Sequence, residues 1–397
     1  MFDQTNEIKV LRDPIHGYIH ISYQVIWKLL NSSEFQRLRR IHQLGGDYMV
    51  YHTAEHSRFS HSLGVYEIVR RMIDEVESIA TNVTQFEKIQ VMCAALLHDI
   101  GHGPFSHMFE HLHNRTHEEM TVRIILDENT QVHQILRDCH PELPEKVVSI
   151  IQHEHEKEFL NQMISSQLDA DRMDYLLRDA YETGTSYGNF DLERILRTLR
   201  VHDGYLCMKE SGMHSVEDYI MARYHMYWQV YLHPDAKAYE ILILKFIERY
   251  KSVHKTCTIP VFEPFCEKEF SLQQYLLLDD NRVMYGFQEA QFSKDEILSD
   301  LAYRILNRRL LDWIENPSEE EEIAIKRSSK NAEYYYYEEH SLNKQVMPYQ
   351  ELSESQTIWI LSACGQIHPL SKCSEIVKAL LKMENVTKKR IYFQKND

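Results

Sequence analysis

The sequence predicts a mainly α fold, with a helical bundle over residues 1–250 and a smaller helical and α+β portion over residues 251–397. Three observations predict it. Only 12 glycines and 10 prolines punctuate 397 residues, too few for a turn-dense sandwich and well suited to long helices. Apolar residues recur at helical spacing through most of the first part. Beyond residue 316 the composition shifts to charge runs and a tyrosine cluster. No internal repeat and no low-complexity linker divides the chain.

Taken in order, the opening twenty residues contain Pro14, Gly17 and the alternating Tyr18-Ile19-His20-Ile21, an extended lead-in. Ile26, Leu29 and Leu30 then mark a helix, Asn31-Ser32-Ser33 a turn or cap, and Phe35 to Leu44 a second helix ended by Gly45-Gly46. Helix is expected to follow helix to about residue 250. Ile89 to His98 is apolar nearly all round, as in a helix at the centre of a bundle. Whatever ends that helix lies deep. Residues 255–316 carry further amphipathic patterns, among them Glu296 to Trp313. Glu319-Glu320-Glu321-Glu322, Lys326-Arg327 and Tyr334 to Tyr337 predict a charged surface turn before a strand.

The 44 basic and 60 acidic residues leave a formal charge of -16. This disfavours nucleic acid as a long-range partner, although a local arginine cluster can still hold a small polyanion. Seven cysteines, none in a C-x-x-C pair, suggest neither a disulfide framework nor a thiolate zinc site. The opening MFDQTNEIKV lacks the pattern of a secretory signal, and no stretch has the length of a membrane span. A cytoplasmic location is expected.

The buried helix runs into Leu96-Leu97-His98-Asp99-Ile100-Gly101-His102-Gly103-Pro104-Phe105-Ser106-His107. An imidazole beside a carboxylate at the end of an apolar helix is costly unless a cation or hydrogen bonds compensate the charge. A bare His-Asp pair is usually solvated. Here two other segments carry ligand-type residues next to arginine: His61 in Arg58-Phe59-Ser60-His61, and Asp171 in Asp169-Ala170-Asp171-Arg172. Together His61, His98, Asp99 and Asp171 offer mixed N/O ligation for a divalent metal ion such as Mn, Fe, Zn, Co or Mg. His102, His107 and His117 lie on or near the same segment, with Glu110 and Glu118 available to orient them, a natural source of a proton donor at neutral pH.

Asp171, Tyr175 and Asp179 are four apart, as are Arg223, Tyr227 and Tyr231, so each trio shares one helix face. Tyrosine stripes alone are usually core. A metal ligand leading one stripe and an arginine leading the other point instead to a pocket.

Four strings, Asp13-Pro14-Ile15-His16-Gly17, Gln36-Arg37-Leu38-Arg39-Arg40, Gln43-Leu44-Gly45-Gly46 and His98 to His107, together with His61 and Asp171, resemble the HD-domain metal-dependent phosphohydrolases. They are most similar to the deoxynucleoside triphosphate triphosphohydrolase branch, the dNTPases, which includes the animal sterile-alpha-motif and HD-domain enzyme. Similarity runs over roughly residues 8 to 250. The resemblance implies an HD-domain helical bundle in which His61, His98, Asp99 and Asp171 hold the metal. It makes His107 the acid at the 5′ oxygen, with His102, His117 and Glu110 around it. It assigns Arg58, Arg172 and Arg223 to a triphosphate, Tyr175 and Asp179 to the sugar, and Gln43 and Leu44 to its 3′ side. Arg172 stands for lysine, Tyr227 for histidine and Leu232 for glutamine in the animal pattern, departures that touch base contacts rather than hydrolysis.

The same resemblance implies a homotetramer and an activating nucleotide, dGTP or GTP, at a subunit interface on Lys9, Val10, Asn31, Gln36 and Arg39. Asn31 replaces a guanine-reading aspartate, which relaxes that preference. The expected activity is hydrolysis of a dNTP to deoxynucleoside and inorganic triphosphate. Two alternatives stay open: another HD phosphohydrolase acting on an alarmone or cyclic nucleotide, and a nucleotide sensor without turnover.

Overall fold

A computed structural model describes residues 2–267, 269–339, 349–382 and 388–395. Helix accounts for 56% against 12% strand, as the scarcity of glycine and proline predicts. Among the described residues no helix is long and apolar enough to cross a membrane.

The extended lead-in is an antiparallel hairpin, Gln4–Asp13 with Gly17–Tyr23. Its turn closes because Asp13 Oδ1 accepts the N–H groups of Ile15 and His16 at 2.9 and 3.0 Å, and because Gly17 takes a left-handed φ of 70° without a Cβ penalty. Ile19 and Ile21 face the core, whereas Ile8, Val10 and Tyr18 stay exposed. The helix Gln24–Leu30 follows, and Ser32 caps the next by accepting the Phe35 N–H.

That second helix is shorter than expected. It ends at Arg37, and after one 3-10 turn, Leu38–Arg40, the chain is extended at Ile41. The backbone hydrogen bonds of this stretch go across to the segment before the next helix: Arg58 N–H to Ile41 C=O at 2.9 Å and Gln43 N–H to His56 C=O at 2.9 Å. Gln43 and Leu44 therefore lie on a loop that faces the site.

Three helices, Arg58–Glu75, Gln85–Leu97 and Ala170–Thr183, form the centre of the bundle. Gln85–Leu97 opens on a Thr84/Glu87 capping box, which satisfies two free N–H groups. Val91 through Leu97 are buried without interruption, each large apolar side chain contributing roughly 1.5–3 kcal/mol. Ala170–Thr183 starts on Asp169, which accepts the Arg172 N–H at 2.7 Å, and ends on Gly184. At Gly64 the first and third helices touch so closely that a Cβ would lie 1.8 Å from Asp174 Oδ1.

Helix does not continue unbroken to residue 250. Leu199–His202 and Tyr205–Lys209 form a hairpin across Asp203-Gly204, both left-handed, the two-residue turn that matches strand twist. Trp359–Leu361 joins this hairpin in parallel and Ile367–Pro369 completes a four-stranded sheet. A second sheet places Arg390–Phe393 between Asp312–Glu315 and Tyr336–Glu339. Trp313 thus belongs to a strand, since the preceding helix ends at Leu306. The acidic run is no turn: it is the first turn of the helix Glu319–Ser328, with Lys326 and Arg327 in the last, charges that complement the helix dipole at both ends.

Candidate metal centre and catalytic pocket

Each central helix delivers a ligand from its end nearest the loop 98–107. His61 projects from Arg58–Glu75, His98 and Asp99 follow Gln85–Leu97, and Asp171 lies in the first turn of Ala170–Thr183. His61 Nε2 is 3.0 Å from Asp171 Oδ1 and 3.8 Å from Asp99 Oδ2. His98 Nε2 is 3.5 Å from Asp99 Oδ1 and 3.7 Å from Asp171 Oδ1. All four expected ligands converge.

The opposite ring nitrogens are spoken for. His61 Nδ1 donates to Asp174 Oδ2 at 2.8 Å, and His98 Nδ1 to the Ala95 carbonyl at 2.9 Å. Carboxylate and carbonyl only accept, so each ring keeps a proton on Nδ1, and Nε2 is the nitrogen turned to the cluster. Both Nε2 atoms are buried without a hydrogen-bond partner. Two such nitrogens beside two carboxylates fit a divalent cation.

The electrostatics agree. Burial opposes a charged His61, but the adjoining Asp171 and Asp174 carboxylates prevail and push it up to about 10. His98 is also raised, against burial, by Asp99 and Asp171. Burial would raise Asp99, yet His98, His102 and Arg58 hold it well below the carboxylate range. The cluster strongly favours positive charge between its carboxylates.

Arg58 is buried with Nη1 on Asp99 and Nη2 on Ser106 Oγ at 2.9 Å. His102 stacks on His117 with centroids 3.8 Å apart and keeps Nε2 3.3 Å from Asp99 Oδ1. Burial, then the nearby Arg58, hold its pKa well below the usual imidazole range. Glu110 Oε1 binds His107 Nδ1 at 3.2 Å and His117 Nδ1 at 2.9 Å. Although burial works the other way, these histidines depress Glu110. Glu118 lies 3.1 Å from His117 Nε2. The His107 side chain is 61% exposed, open to a ligand and aimed by Glu110. Phe105 and Ser106 both adopt a φ of 52°, a strained pair of non-glycine residues just before His107, whose ring lies 5.6 Å from that of His102 and 5.1 Å from that of His117.

Along Ala170–Thr183, Asp179 accepts from His56 Nε2 at 2.7 Å and from the Tyr231 hydroxyl at 2.8 Å. Tyr175 and Tyr227 each meet the Tyr231 ring edge-on, at 6.0 and 5.3 Å. The helix Met213–Met226 passes into a π-helical turn, Tyr227–Tyr231, so Arg223 and the two tyrosines do not share one regular helix. Arg223 Nη1 donates to Gln167 Oε1 at 2.8 Å, and its guanidinium lies 5.7 Å from the Tyr227 ring. Arg172 pairs with Asp169. Gln43 contributes a buried Oε1 without a hydrogen-bond partner, and its carbonyl is 3.4 Å from Arg58 Nη2. Leu44, next to it, is half-buried against the core.

The residues expected at an interface fall into two groups. Gln36 Oε1 accepts from Arg39 Nε at 2.9 Å, Gln36 Nε2 donates to Leu30 C=O and Asn31 Nδ2 to Trp27 C=O, both at 2.7 Å. Arg39 also lies over the Phe59 ring at 3.5 Å. Lys9 pairs with Glu7, and Val10 is exposed. Among the described residues no hydrogen bond or ion pair joins the groups within one chain.

Three participants escaped the sequence reading. Asp174 lies one turn beyond Asp171, a spacing that offered a signal. His56 precedes Arg58 by two residues but stands in no helical pattern. Asp280 had no local signal: its carboxylate accepts the His42 and Phe105 N–H groups at 2.8 and 3.1 Å and so ties two site loops to a helix far along the chain.

Residues 58–179 match the HD domain, and residues 190–395 match the HD associated region. The chain belongs to the HD-domain family. His61, His98, Asp99 and Asp171 all fall within the HD-domain match. A Bacillus subtilis relative, the uncharacterized protein YwfO, is 44% identical over 408 residues, covering 98% of this chain and 93% of that protein. The Gallus gallus deoxynucleoside triphosphate triphosphohydrolase SAMHD1 is 29% identical over 285 residues, 62% of this chain and 46% of its own. This HD-domain protein thus spans about half the length of that relative. A crystal structure of a Bacteroides thetaiotaomicron phosphohydrolase matches with a TM-score of 0.85 at 28% identity, over 98% of this chain and 100% of that one. As an HD phosphohydrolase family member the protein is a hydrolase.

Proposed function

We propose that the protein hydrolyses deoxynucleoside triphosphates at the α-phosphate, releasing deoxynucleoside and inorganic triphosphate. The observation that carries this reading is the convergence of His61, His98, Asp99 and Asp171 beside the buried Arg58. Bound by those four, a divalent cation would polarise the phosphate and lower the pKa of an attacking water.

The chain's own residues do the rest. Arg58, Arg172 and Arg223 would pair with phosphate oxygens, and their charge would offset the build-up on the phosphoryl group. The bond between the α-phosphorus and the 5′ oxygen breaks as the water oxygen joins phosphorus. His107, held through Nδ1 by Glu110, gives its proton to the departing 5′ oxygen. His102, kept neutral by burial, and His117 with Glu118 frame that donor. Gln43 Oε1, an unpartnered buried acceptor, suits a 3′ hydroxyl together with Asp179, and Leu44 closes that side. Tyr175 packs beneath the sugar and leaves no room for a 2′ hydroxyl, while Tyr227 and Tyr231 complete the wall. Recognition of the base is weak, because Leu232 and Tyr227 read no specific edge.

SAMHD1 relatives support the choice of dNTP. We extend the reading to a homotetramer in which an activating nucleotide, dGTP or GTP, lies between Lys9 and Val10 of one protomer and Asn31, Gln36 and Arg39 of its partner. The test is incubation of the purified protein with each dNTP and rNTP, with Mn2+ or Mg2+, with and without dGTP or GTP, and chromatography of the products. Deoxynucleoside plus triphosphate is expected. Pyrophosphate or a monophosphate would move the protein to another HD phosphohydrolase reaction, and no turnover would favour a sensor.

A further inference from the structure

Behind the ligands lies a buried chain of side chains that the reaction above does not use. Asp174 presents Oδ2 to His61 Nδ1 at 2.8 Å and Oδ1 to His16 Nε2 at 2.6 Å. Arg178 holds the same carboxylate at two points, Nε on Oδ2 and Nη2 on Oδ1, each at 2.9 Å. Arg178 is fixed in turn by Asp13, Nη1 to Oδ2 at 3.0 Å. Side-chain exposure is 2% for His16, 0% for Asp174, 1% for Arg178 and 5% for Asp13.

His16 and Asp13 belong to the turn of the N-terminal hairpin, and His16 reaches a carboxylate 158 residues away. Asp174 carries no proton to donate, so each imidazole must present N–H to it. The carboxylate is therefore clamped between two imidazoles and one guanidinium, which sets its plane. That plane sets the His61 ring, and the ring sets the direction of its Nε2 lone pair. Without the His16 donor, Oδ1 retains only Arg178, the buried carboxylate turns towards the guanidinium, and His61 loses its aim.

We propose that His16 is a positioning residue of the metal centre, acting through Asp174 and His61. The proposal rests on the reading of His61, His98, Asp99 and Asp171 as that centre. By linkage the converse also holds: a cation on His61 stiffens the hairpin turn.

The test is calorimetric titration of the full-length protein with Mn2+ alone, comparing wild type with His16→Phe and His16→Gln. His16→Phe is expected to weaken Mn2+ binding about 10- to 100-fold. His16→Gln, whose amide still donates to Oδ1, is expected to recover most of the loss. A folded His16→Phe variant with lower thermal stability but unchanged Mn2+ affinity would reduce His16 to packing and overturn the proposal. The wild type supplies an arm independent of mutant folding: amide hydrogen exchange at residues 15–17 should slow on adding Mn2+, and unchanged rates overturn it. If the wild type binds no Mn2+, the metal-centre reading itself fails.

Discussion

At the scale of single residues, the histidines of the site are told apart by what Nδ1 engages and by how far the ring is exposed. His61 and His98 are buried with Nδ1 bonded and Nε2 directed inward, the disposition of ligands. His107 is the exposed one, steered by Glu110. The two kinds should fail differently. His98→Ala is expected to abolish metal retention and turnover together. His107→Gln should retain the ion yet lose about 10²- to 10⁴-fold in kcat. Elemental analysis of each variant beside single-turnover kinetics checks the split, and a His107→Gln enzyme of normal rate would remove the proton-donor role. As candidate ligands, Asp99, Asp171, His61 and His98 were all legible in the sequence, because His98 and Asp99 end an apolar helix before a glycine-rich turn and His61 and Asp171 stand in segments that carry arginine. His56 and Asp280 were not, since both act through long-range hydrogen bonds that leave no periodic trace.

At the scale of elements, close approach of helices rather than helix propensity sets the site. Gly64 permits Arg58–Glu75 to lie against Ala170–Thr183, with Asp174 and Arg178 filling the space a side chain would need. Gly64→Ala should cost about 1–3 kcal/mol through overpacking and separate His61 from Asp174. Thermal denaturation with and without Mn2+ reads both effects; an unshifted midpoint would show that the helices can yield at this position. Helices with strong internal patterns, Gln85–Leu97 above all, were plain from sequence. The short second helix was not, because His56 and Arg58 take the backbone hydrogen bonds of the stretch that follows it. The Asp203-Gly204 turn did signal a hairpin, but helical patterns on both sides hid it. In the acidic run, a Ser318/Glu321 capping box converts an apparent turn into a helix start.

At the scale of the whole molecule, the N-terminal hairpin presents Ile8, Val10 and Tyr18 to solvent at 60%, 53% and 50% exposure, while its turn grips the site. If this face is the proposed subunit contact, light scattering should give a tetramer mass on adding dGTP or GTP, and a monomer mass under those conditions would remove the assembly. Chain order alone carried the candidate ligand types, the buried helix and the mainly α class, which follow from local pattern and composition because periodicity and residue chemistry are properties of neighbouring positions; the arginines' roles came from the family resemblance. Which nitrogen of His61 faces the cluster, which loops are tied to Asp280, and how the hairpin reaches Asp174 depend on contacts between positions more than a hundred residues apart. Those contacts are selected by packing of the folded chain, where buried polar groups must find partners, and no local pattern encodes them.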